Sequence, residues 1–168
     1  MSFTLLFLVA AGAMVAFLVW SSSSSLEHEK EDKRKLAMER CRSTSDRSSV
    51  LVLVVTNGSP HSCARTLFEI FEKARCPQRM HVAVFDTVQN GSQQPNIVQM
   101  YGTMAREQST LGKSFAERVQ YFRVRAEDSR GLTAGLARCL QSSYRGQTFV
   151  CTLNDVVELE DQWEHLAI

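Results

Sequence analysis

Six consecutive apolar residues, Val50-Leu-Val-Leu-Val-Val55, are followed at once by Thr56-Asn-Gly-Ser-Pro60. A run with no polar position has no face to give to water. As a strand it must be covered on both sides, which is the condition of a parallel sheet sandwiched between helices. The five residues after it hold a turn and a helix start, with Ser59 placed as N-cap and Pro60 at the first helical position. The pair predicts a strand–turn–helix unit and, through it, an α/β fold.

The alternation continues along the chain. Leu67, Ile70, Phe71 and Ala74 recur at helical spacing until Cys76-Pro77 stops them. His81–Phe85 reads as a second short strand ending at Asp86, and Val119–Val124 as a third. Between them Thr87–Gly102 is polar, with Asn90-Gly91 and Pro95 as breakers, and is expected to be a loop. Leu132–Tyr144 predicts a helix with Leu136, Ala137 and Leu140 on its apolar side and Gly146 as its stop. Thr148–Leu153 predicts a fourth strand running into Asn154-Asp155, and Glu160–Ile168 a short helix. Strands alternating with helices imply a Rossmann-like parallel α/β sheet. Such sheets bind ligands beyond the carboxyl ends of their strands. That singles out Thr56-Asn57-Gly58, Asp86, the segment after Val124 and Asn154-Asp155.

Ahead of this domain the chain changes character. Phe3–Trp20 contains no charged residue over 18 positions. At roughly 1.5 Å per residue such a helix spans about 27 Å, close to a bilayer's hydrocarbon core. Residues 1–20 are therefore expected to form one transmembrane anchor, with Trp20 at an interface. A cleaved signal peptide fits less well, for want of a positive leading segment. Ser21–Ser25 is a polar linker, and Leu26–Arg42 a charged stalk in which Glu29/Lys33 and Glu31/Lys35 sit i,i+4 with the acid first. The layout is thus 1–20 anchor, 21–47 linker and stalk, and 48–168 globular domain. Lys30, Lys33, Arg34 and Lys35 follow the anchor, and the positive-inside rule puts that side in the cytosol or a matrix.

Several function classes are excluded. Nineteen Lys and Arg against 18 Asp and Glu leave a net charge of +1, so no nucleic-acid partner held through phosphates is expected. No G-x-G-x-x-G, G-x-x-x-x-G-K-[ST] or G-x-S-x-G is present, which removes the dinucleotide, P-loop and α/β-hydrolase signatures. Five cysteines without a C-x-x-C argue against a zinc ribbon, a thioredoxin-type site and a dense disulfide framework. Cys63, Cys139 and Cys151 fall in apolar segments and read as small buried hydrophobes.

Three further segments carry a resemblance. They are Val50–Val55 with Arg65–Arg79 and the strand after it, Arg123–Arg138 with its Ser129-Arg130-Gly131, and Tyr144–Asp155 followed by Asp161-Gln-Trp-Glu164. Together they resemble the amino-terminal half of the GT-A-type glycosyltransferases that include the polypeptide and hydroxyproline α-N-acetylglucosaminyltransferases. The resemblance covers Val50–Ile168. It implies a truncated GT-A-like domain, a nucleotide-sugar ligand such as UDP-N-acetylglucosamine, and Mn or Mg as cofactor. By the same resemblance Thr56, Asn57, Asp86 and Arg130 match nucleotide-holding positions. The family's acidic metal motif falls on Asn154-Asp155-Val156. Only Asp155, and Asn154 through a neutral carbonyl, are candidate metal ligands there. No catalytic residue is assigned, because the family's acceptor region lies beyond this sequence.

Two functions follow from these readings. One is a membrane-anchored glycosyltransferase-like protein of the Golgi or secretory pathway, inactive by itself. The other is a non-catalytic pseudoenzyme serving as accessory or scaffold subunit of a membrane complex, with a mitochondrial or other inner organelle membrane as the alternative location. In either case a protein partner is expected over the exposed part of the domain.

Overall fold

A computed structural model of the protein describes residues 41, 48–89, 94–111 and 114–165. The anchor expected over 1–20 and, Cys41 apart, the stalk and linker over 21–47 lie outside them. Among the described residues no helix is long and apolar enough to cross a membrane.

Four parallel strands form one sheet: β1 (Val50–Asn57), β2 (Met80–Val88), β3 (Val119–Arg125) and β4 (Phe149–Asn154), in spatial order β3-β2-β1-β4. The central strands β1 and β2 are the unbroken apolar runs, and the edges β3 and β4 alternate. This is what strands covered on two faces, or on little more than one, should look like. Helices α1 (Pro60–Glu72) and α2 (Ile97–Gln108) cover the face bearing Val50, Val52 and Val54. Helix α3 (Leu132–Ser143) covers the face bearing Leu51, Leu53, Ala83 and Phe85. The chain steps β1→β2→β3 in one direction and then returns to place β4 against the free side of β1. Right-handed crossovers force the helix onto the other face when the direction reverses.

The structure departs from expectation in two of its helices and in its last described segment. Residues 97–102, expected to lie in a loop, open α2. Asn96 caps this helix, its Oδ1 accepting from Val98 N at 2.9 Å and Gln99 N at 3.3 Å. Ile97, Tyr101 and Ala105, spaced by four, are its buried stripe. The polar residues between them outweighed that stripe in the sequence. In α3, Leu136 is only partly buried, while Ala137 and Leu140 face outward. The inward positions are Gly135, Cys139 and Ser143. A Cβ on Gly135 would fall 2.4 Å from the Phe85 ring. The bulk at this contact comes from the sheet, so the helix meets it with small residues.

The last described segment straps over α1. Glu69, 6% exposed, accepts from Leu159 N at 2.9 Å, Lys73 Nζ at 3.2 Å and Arg65 Nε at 3.4 Å. Trp163 Nε1 donates to Ile70 O, and Cys76 N donates to Glu164 Oε1. The expected terminal helix is one short turn, Trp163–His165, within the described residues. Cys41 and Cys76 form a disulfide, and Arg79 Nη2 donates to Cys41 O at 2.8 Å.

Candidate functional site

The strand order reverses between β1 and β4, and sheets of this order take ligands beyond the carboxyl ends of such a pair. Register brings three polar residues into one row there: Thr56 is the partner of Asp86, and Asp86 of Arg123. Each comes where its strand leaves the core. Side-chain alternation puts all three on the face of Val54 and Val84, so the row caps the core beneath α1 and α2. Gly58, at φ +77°, turns the chain from β1 toward α1.

Asp155 completes the group. Thr56 Oγ1 donates to its Oδ2 at 2.6 Å, and Thr66 Oγ1 donates to its carbonyl at 3.0 Å. Asp86 is fully buried, and its Oδ2 accepts from Arg123 Nε at 3.1 Å and from the Tyr121 hydroxyl. Among the described residues its other oxygen, Oδ1, is buried without a hydrogen-bond partner. Arg123 continues outward, donating to the carbonyls of Gln94 and Pro95 at 3.1 and 2.9 Å. Gln94 Oε1 is a second buried acceptor without a partner among the described residues.

No nucleophile is poised among these groups. Burial, reinforced by Asp155 and Asp86, pushes the Cys63 thiol up to about 12. Burial and the Asp86 carboxylate likewise raise the Tyr121 hydroxyl. Both stay protonated at neutral pH. The unused capacity of the row is accepting, so it suits recognition of O–H or N–H donors better than acid–base work.

The sequence-predicted residues divide. Thr56, Asp86 and Asp155 come together. Asn57 is exposed at the end of β1, and Arg130 is exposed ahead of α3. No side-chain hydrogen bond or ion pair joins either to the row. Asn154 is the register partner of Val55, so alternation sends it to the face opposite Thr56 and Asp155. The residues the sequence did not single out are Tyr121, Arg123 and Gln94. Arg123 and Tyr121 left one signal: they sit two apart on a strand, so they share a face.

A hard divalent cation prefers several oxygen ligands, carboxylates foremost. Here Asp155 already accepts from Thr56, Asn154 faces away, and Val156 is 74% exposed and has no donor atom. Among the described residues no three His, Cys, Asp or Glu side chains gather as a metal site. The described residues do not fit Mn or Mg.

Comparison with protein-family models, with curated proteins and with solved structures found no match.

Proposed function

We propose that this chain is a membrane-anchored protein whose GT-A-like α/β domain binds a nucleotide sugar, UDP-N-acetylglucosamine by resemblance, without metal-assisted sugar transfer by the residues present. The observation that carries this reading is Asp86. A carboxylate oxygen buried without a partner is unfavourable unless something donates to it. Asp86 lies near the carboxyl end of β2, one strand from the β1–β4 switch point beyond which sheets of this order take ligands. A ribose hydroxyl or base N–H is the donor this position calls for, reached by displacing the Arg123 clamp. The missing metal geometry supports the non-catalytic side of the proposal.

The disulfide supports a compartment. Cys41–Cys76 bonds persist where thiols are oxidised, which favours the secretory lumen over cytosol or matrix. That orientation runs against the positive-inside count, and the covalent bond is the stronger argument. The scaffold reading rests on a separate observation. Leu132, Tyr144, Val150 and Val156 are large apolar side chains at 58%, 47%, 45% and 74% exposure around α3 and the β4 edge. A protein partner would cover them.

Calorimetric titration of the full chain in detergent with UDP-N-acetylglucosamine, with and without Mn²⁺, tests the reading. The expected result is binding that Mn²⁺ does not strengthen and that Asp86→Asn weakens. Binding that requires Mn²⁺ would restore the metal site. No heat from a folded sample would end the nucleotide reading and leave the scaffold one.

A further inference from the structure

The other end of the sheet holds a second concavity. Below the carboxyl end of α3, where that one helix no longer covers its face, a cavity of about 200 Å³ opens at the amino ends of the strands. Its lining includes Arg118 and Arg145. Among the described residues neither guanidinium has a carboxylate partner: Arg145 Nη1 donates to Tyr144 O at 2.9 Å, and Arg118 Nη1 lies 3.5 Å from His81 Nε2. The nearby amides also have donors left over. Gln120 Oε1 is occupied by Ser143 Oγ at 2.6 Å, and Gln147 Oε1 by Arg145 N at 2.7 Å. Each of these carboxamides therefore keeps its NH₂ for something else. Gln147 and Ser143 are only 7% and 5% exposed and form the buried floor of the cavity, while Gln120 and Arg145 stand exposed at its rim.

We infer that this cavity is an anion site for a phosphate-sized oxyanion, free or carried on a small metabolite. Two guanidinium forks and two amide NH₂ groups offer donors to several oxygens at once, as tetrahedral oxyanions require. The opposing feature is Glu117, an exposed carboxylate among the lining residues that pairs with neither arginine. It weakens the site without closing it. The cavity lies at the sheet end opposite Asp86, so this inference stands apart from the nucleotide reading.

Inorganic phosphate titrated into the full chain at constant ionic strength tests it, with thermal melting and calorimetry as readouts and chloride as control. Phosphate should raise the melting temperature where chloride does not. Arg118→Gln with Arg145→Gln should weaken phosphate binding roughly tenfold or more, as loss of two charge-assisted contacts implies. Glu117→Gln should tighten it, a change in the opposite direction that misfolding cannot mimic. No phosphate effect on the wild-type chain, or an effect the arginine and glutamate changes leave untouched, overturns the inference.

Discussion

Thr56 Oγ1 donates to Asp155 Oδ2 at 2.6 Å and thereby joins the ends of β1 and β4, 99 residues apart in sequence. Parallel neighbours have no hairpin to hold their ends together, so such a bond fixes how closely the two strand ends sit at the crevice. Thr56→Val keeps the shape and removes the donor. It should cost roughly 1–3 kcal/mol by leaving a half-buried carboxylate short of a partner, while Thr56→Ser should restore most of that. Urea midpoints check this, and a Val variant as stable as the parent would show that the bond contributes nothing.

Glu69 gives the fold an acid-sensitive clasp. Burial opposes its ionisation, but the Leu159 N–H, Lys73 and Arg65 outweigh burial and hold the carboxyl below its ordinary value. The unfolded chain takes up this proton at about pH 4.3. Ionised Glu69 therefore stabilises the fold fully above that pH, and the contribution fades as pH falls through the lower folded value. Glu69→Gln should be less stable at neutral pH and should show a flatter loss of stability below about pH 4.3. Chemical denaturation across the acid range distinguishes the two profiles.

Gly135 and Phe85 fit together with no room for a methyl group, since the added Cβ would meet the ring at 2.4 Å. Gly135→Ala should destabilise by about 1–3 kcal/mol despite alanine's better helix propensity. Phe85→Leu in the same chain should recover part of the loss. A double-mutant cycle measures the coupling, and strict additivity would contradict the contact.

The cysteines should separate into two chemical groups. Cys63, Cys139 and Cys151 are free, with thiols raised by burial to about 12, 11 and 11. They should resist alkylation of the native protein at neutral pH and react only on unfolding. Reducing Cys41–Cys76, which closes a loop with a sequence separation of 35, should lower stability by roughly 2–4 kcal/mol. Thiol counting on the denatured chain, before and after reduction, checks both statements.

The parallel sheet was legible because VLVLVV and HVAVF have no polar face, and only a sheet covered on both sides accommodates that. The edge strands were found through their β-branched and aromatic content. Helix α2 leaves little signal in the sequence, because its three inward residues are four apart with polar residues among them, and because Pro95 breaks the pattern just ahead of the cap at Asn96. The inner face of α3 escaped for a related reason: glycine, cysteine and serine signal no hydrophobic stripe, yet they are what close packing on Phe85 requires. At the site, strand ends pointed to Thr56, Asp86 and Asp155. Arg123 did not stand out, because its role depends on lateral register across strands, which one sequence does not display.

Cys76 takes the Cys41 sulfur through its side chain and the Glu164 carboxylate through its backbone N–H, so segments from both ends of the domain are pinned at one residue. This has a mechanical consequence. A pull arriving along the chain from its amino-terminal side reaches Cys41 and passes through a covalent bond to the end of the β1–β2 crossover before it can load the hydrogen bonds that hold β1. The sheet is thereby sheltered from unzipping at its central strand. Reduction of that single bond would turn a force-bearing tether into a handle on the strand that both its neighbours depend on.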